Sequence, residues 1–202
     1  MEIKSQENID LVFLMDRSGS MSGSEEDTIG GFNSFIQRQK QKDEKATVTA
    51  ILFDDNYEVL YKRKPIAEVA ELTRNEYWVR GCTALLDAIG KTISTLDREI
   101  DNKVLFVIMT DGLENSSREY SKEQIQSMIK SHNWEFIYIG ADIDSYGEAG
   151  RIGIRRTHTA NYKKSTRGVE KLYTSINNAY DCMRSNGSLE DTTWKEDLRE
   201  FD

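Results

Sequence analysis

At 202 residues, 38% hydrophobic and 31% charged, the chain suits one globular domain, or a domain with a tail, and has enough apolar residues for a sizeable core. Its formal net charge of −8 argues against non-specific binding to nucleic acid, which rests on Lys and Arg meeting phosphates. No apolar run approaches the roughly 20 residues of a membrane span, and residues 1–10 lack the basic start and apolar core of a signal peptide, so a soluble cytoplasmic protein with no membrane partner is expected.

The apolar run over residues 9–15 reads as a buried parallel strand. It ends in Asp16-Arg17-Ser18-Gly19-Ser20. Asp16, Ser18 and Ser20 alternate, so an extended or looping backbone can turn their oxygens to one point. Three hard oxygens with no His or Cys nearby suit Mg²⁺, Mn²⁺ or Ca²⁺ better than zinc. They fall at a C-terminal strand end, where open α/β sheets bind ligands. Alone, D-x-S-x-S is also an ordinary turn string whose Asp and Ser bond their own backbone. Ser24 and the acids Glu25, Glu26 and Asp27 predict a helix start. Ile29, Phe32 and Ile36 give that helix one apolar face. Gly30 and Gly31 each cost roughly 1 kcal/mol against Ala; they mark either a close approach to the sheet or a kink. Charged residues 40–45 close the helix. A strand over 47–53, a turn at Asp54-Asp55-Asn56 and a returning strand over 57–61 predict a hairpin, hence one antiparallel edge. Pro65, the single proline, marks its exit, with a short helical stretch over 66–72 and a loop over 77–81.

Thr83 opens a helix over 84–96, with Leu85, Ala88, Ile89 and Ile93 as apolar positions. A second apolar strand over 104–109 ends in Thr110-Asp111-Gly112, followed by Glu114 and Asn115. Ser121 caps a helix over 122–131. A strand over 134–139 leads to Gly140-Ala141-Asp142, then a short helix over 145–151 and a last strand over 156–160. Ser165 begins the clearest amphipathic helix, whose stripe of Val169, Leu172, Tyr173, Ile176, Ala179, Tyr180 and Met183 reads as core. Gly187 ends it. Residues 1–187 thus form the domain. Residues 188–202 are an acidic tail, a short packed helix or a partner-binding segment. Alternating strands and helices predict a Rossmann-like, doubly wound, mostly parallel sheet with helices on both faces.

Cys82 and Cys182 form no C-x-x-C motif and read as buried or idle thiols. His132 and His158 lie far apart, and nothing places either near a nucleophile. Arg151, Arg155, Arg156, Lys163, Lys164 and Arg167 cluster in sequence; they read as solvated loop and helix ends before they read as a basic patch.

Three stretches now carry oxygen ligands: Asp16-Arg17-Ser18-Gly19-Ser20, Gly81-Cys82-Thr83-Ala84-Leu85 and Thr110-Asp111-Gly112. In order, spacing and flanking strands they resemble the von Willebrand factor A (VWA) domain and its metal-ion-dependent adhesion site (MIDAS). The resemblance covers residues 9–183 and is nearest to the small stand-alone bacterial and phage members. It implies that Ser18, Ser20 and Thr83 contact a metal through hydroxyls, that Asp16 and Asp111 bind directly or through water, and that one position stays open for a partner carboxylate. Mg²⁺ keeps several waters in such a site. Four neighbours invite readings of their own. Arg80 either orients an acidic partner or is a surface arginine. Cys82 reads as a buried bystander before a redox-sensitive thiol. Asp87 either orients the loop or is solvated. Glu114 either discourages acidic partners or raises metal affinity.

Three functions compete. The first is a non-enzymatic, metal-dependent protein-binding module acting as a monomer. The second is an adaptor to a separate AAA-type ATPase in a chaperone or metal-insertion complex, since the chain carries no G-x-x-x-x-G-K-[ST] of its own. The third and weakest is a metal-dependent hydrolase. Haloacid-dehalogenase-type phosphotransferases need an acid where Ser18 stands, and G-x-S-x-G is absent.

Overall fold

The computed structural model describes residues 8–42, 45–189 and 191–202. Outside them lie residues 1–7, on which the absence of a signal peptide was read, residues 43–44 in the charged close of the first helix, and Glu190 of the acidic segment. The strands are β1 (Ile9–Asp16), β2 (Ala46–Phe53), β3 (Tyr57–Pro65), β4 (Lys103–Thr110), β5 (Glu135–Ala141) and β6 (Thr159–Tyr162). The helices are α1 (Glu25–Gln41), α2 (Leu85–Leu96), α3 (Lys122–Ser131), α4 (Ser145–Arg151) and α5 (Thr166–Asn186). The strands form one sheet in the order β3-β2-β1-β4-β5-β6. Every pairing is parallel except β2 with β3, so the hairpin edge and the mostly parallel sheet are as the alternation of elements predicts.

Strand β1 is buried along its whole length, and its side chains alternate between two cores. Leu11, Phe13 and Met15 pack with Phe32 and Phe35 of α1 and Tyr173 and Ile176 of α5. Val12 and Leu14 pack with Leu85, Ile89 and Ile93 of α2 and Ile125 of α3. Helices on both faces therefore explain why β1 reads as a continuous apolar run. The glycine pair of α1 makes no kink, and its close approach is to another helix rather than to the sheet. A Cβ on Gly31 would lie 2.2 Å from Cδ2 of Tyr173, whereas Gly30 faces open space.

Two segments differ from expectation. Residues 156–158 form a 3₁₀ turn, so β6 starts at Thr159, and the stretch after Pro65 is helical only over Ile66–Glu68. The acidic C-terminal segment packs back as a 3₁₀ run over Thr193–Phe201, kinked at Lys195. Trp194 and Leu198 are fully buried in the α5 core. Lys195 Nζ donates to the carbonyls of Thr159 and Arg156, and the Asn161 N–H donates to Asp202 Oδ1 at 3.3 Å. The segment thus covers the outer edge of β6. No helix among the described residues is long and apolar enough to cross a membrane.

Candidate metal site

Strands β1 and β4 are neighbours, and their C-terminal ends bring Asp16 and Asp111 side by side at the point where the chain winds outward in both directions. Such a switch point opens a crevice in an open α/β sheet. The loop after β1 folds back on itself: the Ser18 N–H donates to Asp16 Oδ1 at 2.7 Å. Ser18 Oγ and Ser20 Oγ share a hydrogen bond at 3.1 Å, and Ser20 Oγ donates to Asp111 Oδ1 at 2.5 Å. Thr83 comes from the loop before α2. That loop is tied to the first by the Gly19 N–H to Gly81 O (3.1 Å) and the Arg80 N–H to Arg17 O (2.9 Å). A Cβ on Gly112 would stand 2.4 Å from Thr83 Oγ1, so the hydroxyl lies against the backbone beside Asp111. The structure thus gathers all five residues expected in the cluster: Asp16, Ser18, Ser20, Thr83 and Asp111.

The electrostatics suit a hard cation. Burial pushes the Asp16 carboxyl up to about 6, against the lowering pull of hydrogen bonds from Thr110 and Ser18. The Thr110 hydroxyl donates to Asp16 Oδ2 at 2.5 Å, and the Tyr77 hydroxyl donates to the Asp16 carbonyl at 2.6 Å. Among the described residues no three His, Cys, Asp or Glu side chains gather as a metal cage. A cation here would depend on three hydroxyls and two carboxylates. That all-oxygen set fits Mg²⁺, Mn²⁺ or Ca²⁺.

The residues around the cluster act in ways the sequence left open or misplaced. Arg80 is partly exposed and engaged on its inner side. Its Nε donates to Asp54 Oδ2 at 2.8 Å and its guanidinium lies 4.4 Å from the Trp78 ring. Arg17, fully buried, shares the same carboxylate oxygen at 2.9 Å. Burial raises Asp54, but the Arg80 hydrogen bond, those from Asn56 and the Arg17 charge hold its carboxyl below the ordinary range. Cys82 is exposed rather than buried. Asp87 accepts the backbone N–H groups of Arg118, Glu119 and Tyr120 at 2.9 to 3.0 Å, so it orients the loop after β4. Glu114 is engaged locally. It accepts from the Leu86 N–H at the start of α2 and from Ser116 and Ser117. Asn115 Oδ1 accepts the Thr83 N–H at 3.0 Å.

Lys164, which by sequence belongs to a solvated basic stretch, reaches the cluster. Lys164 Nζ donates to Asp111 Oδ2 at 2.9 Å and to the Ser20 carbonyl at 3.3 Å. The other basic residues of its sequence cluster disperse into separate contacts: Arg151 with Glu148, Arg155 with Glu135, Arg167 with Glu200, Arg156 over Tyr146 and Lys163 over Phe201.

The von Willebrand factor type A domain model matches residues 10–175, and the chain belongs to that family. None of the curated proteins compared matches it significantly. Among solved structures, the pilus adhesin SpaC of Lactobacillus rhamnosus GG superposes with TM-score 0.71 at 14% identity, covering 88% of this chain and 30% of that one. The ArnB paralog VWA2 of Sulfolobus acidocaldarius gives 0.60 at 21% identity, covering 85% and 44%. Proximal thread matrix protein 1 from the mussel byssus, solved with a zinc-occupied MIDAS motif, gives 0.59 at 16% identity, covering 85% and 45%. The chain therefore spans less than half the length of each. At these identities the likeness is one of fold.

Proposed function

We propose that the chain is a non-enzymatic, metal-dependent protein-binding module of the small bacterial or phage VWA type, working through a MIDAS. The carrying observation is the convergence of Ser18, Ser20 and Thr83 hydroxyls with the Asp16 and Asp111 carboxylates at the ends of β1 and β4. The hydroxyls hold the cation directly, and the two acids supply charge directly or through water. Mg²⁺ is the favoured ion, with Mn²⁺ and Ca²⁺ as alternatives. Few direct carboxylates leave such an ion electron-poor, so it takes an Asp or Glu carboxylate from a partner protein. The zinc-occupied motif of the mussel protein and the adhesin role named for SpaC support this reading. So does the histidine placement: His158 stands at the N-terminal end of β6, engaged with Glu135 and Thr157, while the oxygen cluster lies at C-terminal strand ends.

Thermal melts in EDTA, Mg²⁺, Mn²⁺ and Ca²⁺ test the ion. At about 100 times its Kd it should stabilise wild type by roughly 2.7 kcal/mol, about 5–10 °C at this size, and leave Thr83→Ala nearly unmoved. Capture of an acidic partner that EDTA and Thr83→Ala both abolish completes the test. A wild type indifferent to all three cations overturns the reading.

A further inference from the structure

We propose that Lys164 is a resident counter-cation of the oxygen cluster, which an incoming divalent ion has to displace, with Asp142 as the lysine's second seat. The proposal rests on the metal reading of that cluster.

The geometry carries it. Lys164 lies between β6 and α5, outside all three stretches that resemble the family motif. Its ammonium sits 2.9 Å from Asp111 Oδ2, 3.3 Å from the Ser20 carbonyl and 3.7 Å from Asp142 Oδ2. An ammonium has three donors and no acceptor, and here all its near neighbours are oxygens of the cluster or its rim. The Asp111 carboxylate is fully buried. One of its oxygens takes the Ser20 hydroxyl and the other takes Lys164. A buried carboxylate stripped of its counter-charge is strongly destabilising, so the lysine keeps the metal-free fold satisfied.

A divalent ion asks for the same groups. It needs the Ser20 oxygen as a ligand rather than as a donor to Asp111, and it needs the charge of Asp111. An ammonium on that carboxylate competes for the charge and repels the ion. Lys164 has somewhere to go. Its side chain is 27% exposed, and the Asp142 carboxylate, 60% exposed, already lies on the outer side of the ammonium. Asp142 follows β5 directly and has a left-handed backbone (φ 56°), which turns the chain out of the strand at this rim. The lysine thereby sets the concentration at which the cluster loads, and no residue of the motif itself need change.

The test is calorimetric titration of the full chain with MnCl₂ and MgCl₂ at neutral pH, alongside melts without metal. Lys164→Met should bind Mn²⁺ about tenfold tighter, the scale of one partly buried charge contact. It should melt lower than wild type without metal and match it when loaded. Lys164→Arg should keep wild-type affinity, and Asp142→Asn should weaken binding a few-fold by removing the second seat. If wild type binds and Lys164→Met binds no tighter, the lysine is not a competitor, while the metal reading stands. If Asp142→Asn matches wild type, the second seat is wrong. If no variant binds either ion, the metal reading falls and the proposal with it. Binding by Lys164→Met alone would establish both.

Discussion

The Thr110 hydroxyl donates to Asp16 Oδ2 at 2.5 Å, across the two central strands of the sheet. Thr110 is itself fully buried, and its hydroxyl also meets the backbone of Gly112. It aims the Asp16 carboxylate, and groups that orient ligands this way are worth about 10–100-fold in metal affinity. Thr110→Val keeps the shape and loses the bond. We expect a folded protein with Mn²⁺ affinity lowered about tenfold, measured by calorimetric titration.

The two adjacent glycines of α1 should respond in opposite directions to the same change. Gly30→Ala adds a methyl group to open space and should stabilise by up to about 1 kcal/mol through helix propensity. Gly31→Ala drives a Cβ into the Tyr173 ring and should cost about 1–3 kcal/mol, the usual penalty of overpacking. Urea unfolding of both variants reads the contrast directly. Equal effects would mean that α1 and α5 are not in close contact at this point.

Asp87 ties stability to pH. Burial raises its carboxyl, but the N–H groups of Arg118, Glu119 and Tyr120 outweigh that and hold it below the ordinary value. A depressed carboxyl adds stability above its unfolded pKa of about 3.9 and loses it as pH falls through the folded value. Asp87→Asn should therefore cost about 1–3 kcal/mol at neutral pH, as for hydrogen bonds to a charged group. The two proteins should converge in strong acid. Denaturant unfolding at neutral and acid pH follows the gap.

Trp194 anchors the C-terminal segment. It is fully buried, and its Nε1 donates to the Thr157 carbonyl at 3.0 Å. Trp194→Ala should cost about 3–5 kcal/mol. It should also promote self-association, seen by light scattering, because the outer edge of β6 is then uncovered.

The sheet was legible because its two central strands are apolar on both sides, and each stops abruptly at an acid: Met15 before Asp16, and Met109 and Thr110 before Asp111. Hairpin and helix signals supplied the remaining order. The three ligand loops could be found because their residue types sit at fixed spacing within short strings. Lys164 could not. Its contact with Asp111 spans 53 positions, and by composition it is one of six basic residues in a polar stretch. The partners of Glu114 and Asp87 were not legible for a related reason: both are engaged by backbone N–H groups, and backbone geometry leaves no mark on residue identity. The placement of Trp194 depends on where α5 and β6 meet, which no local pattern encodes. Cys82 was expected inside because thiols usually are, but it stands on a loop.

The oxygen cluster is assembled from distant parts of the chain: Ser20 meets Asp111 across 91 positions, and Thr83 enters from a loop that belongs to neither strand. An unfolded chain holds no such constellation, so an ion seated there would fasten long loops shut after their closure entropy has been spent. Such an ion behaves as a buckle on the whole fold. Its occupancy and the folded fraction would then rise and fall together, and a fall in free cation would be felt first as a loosening of the domain.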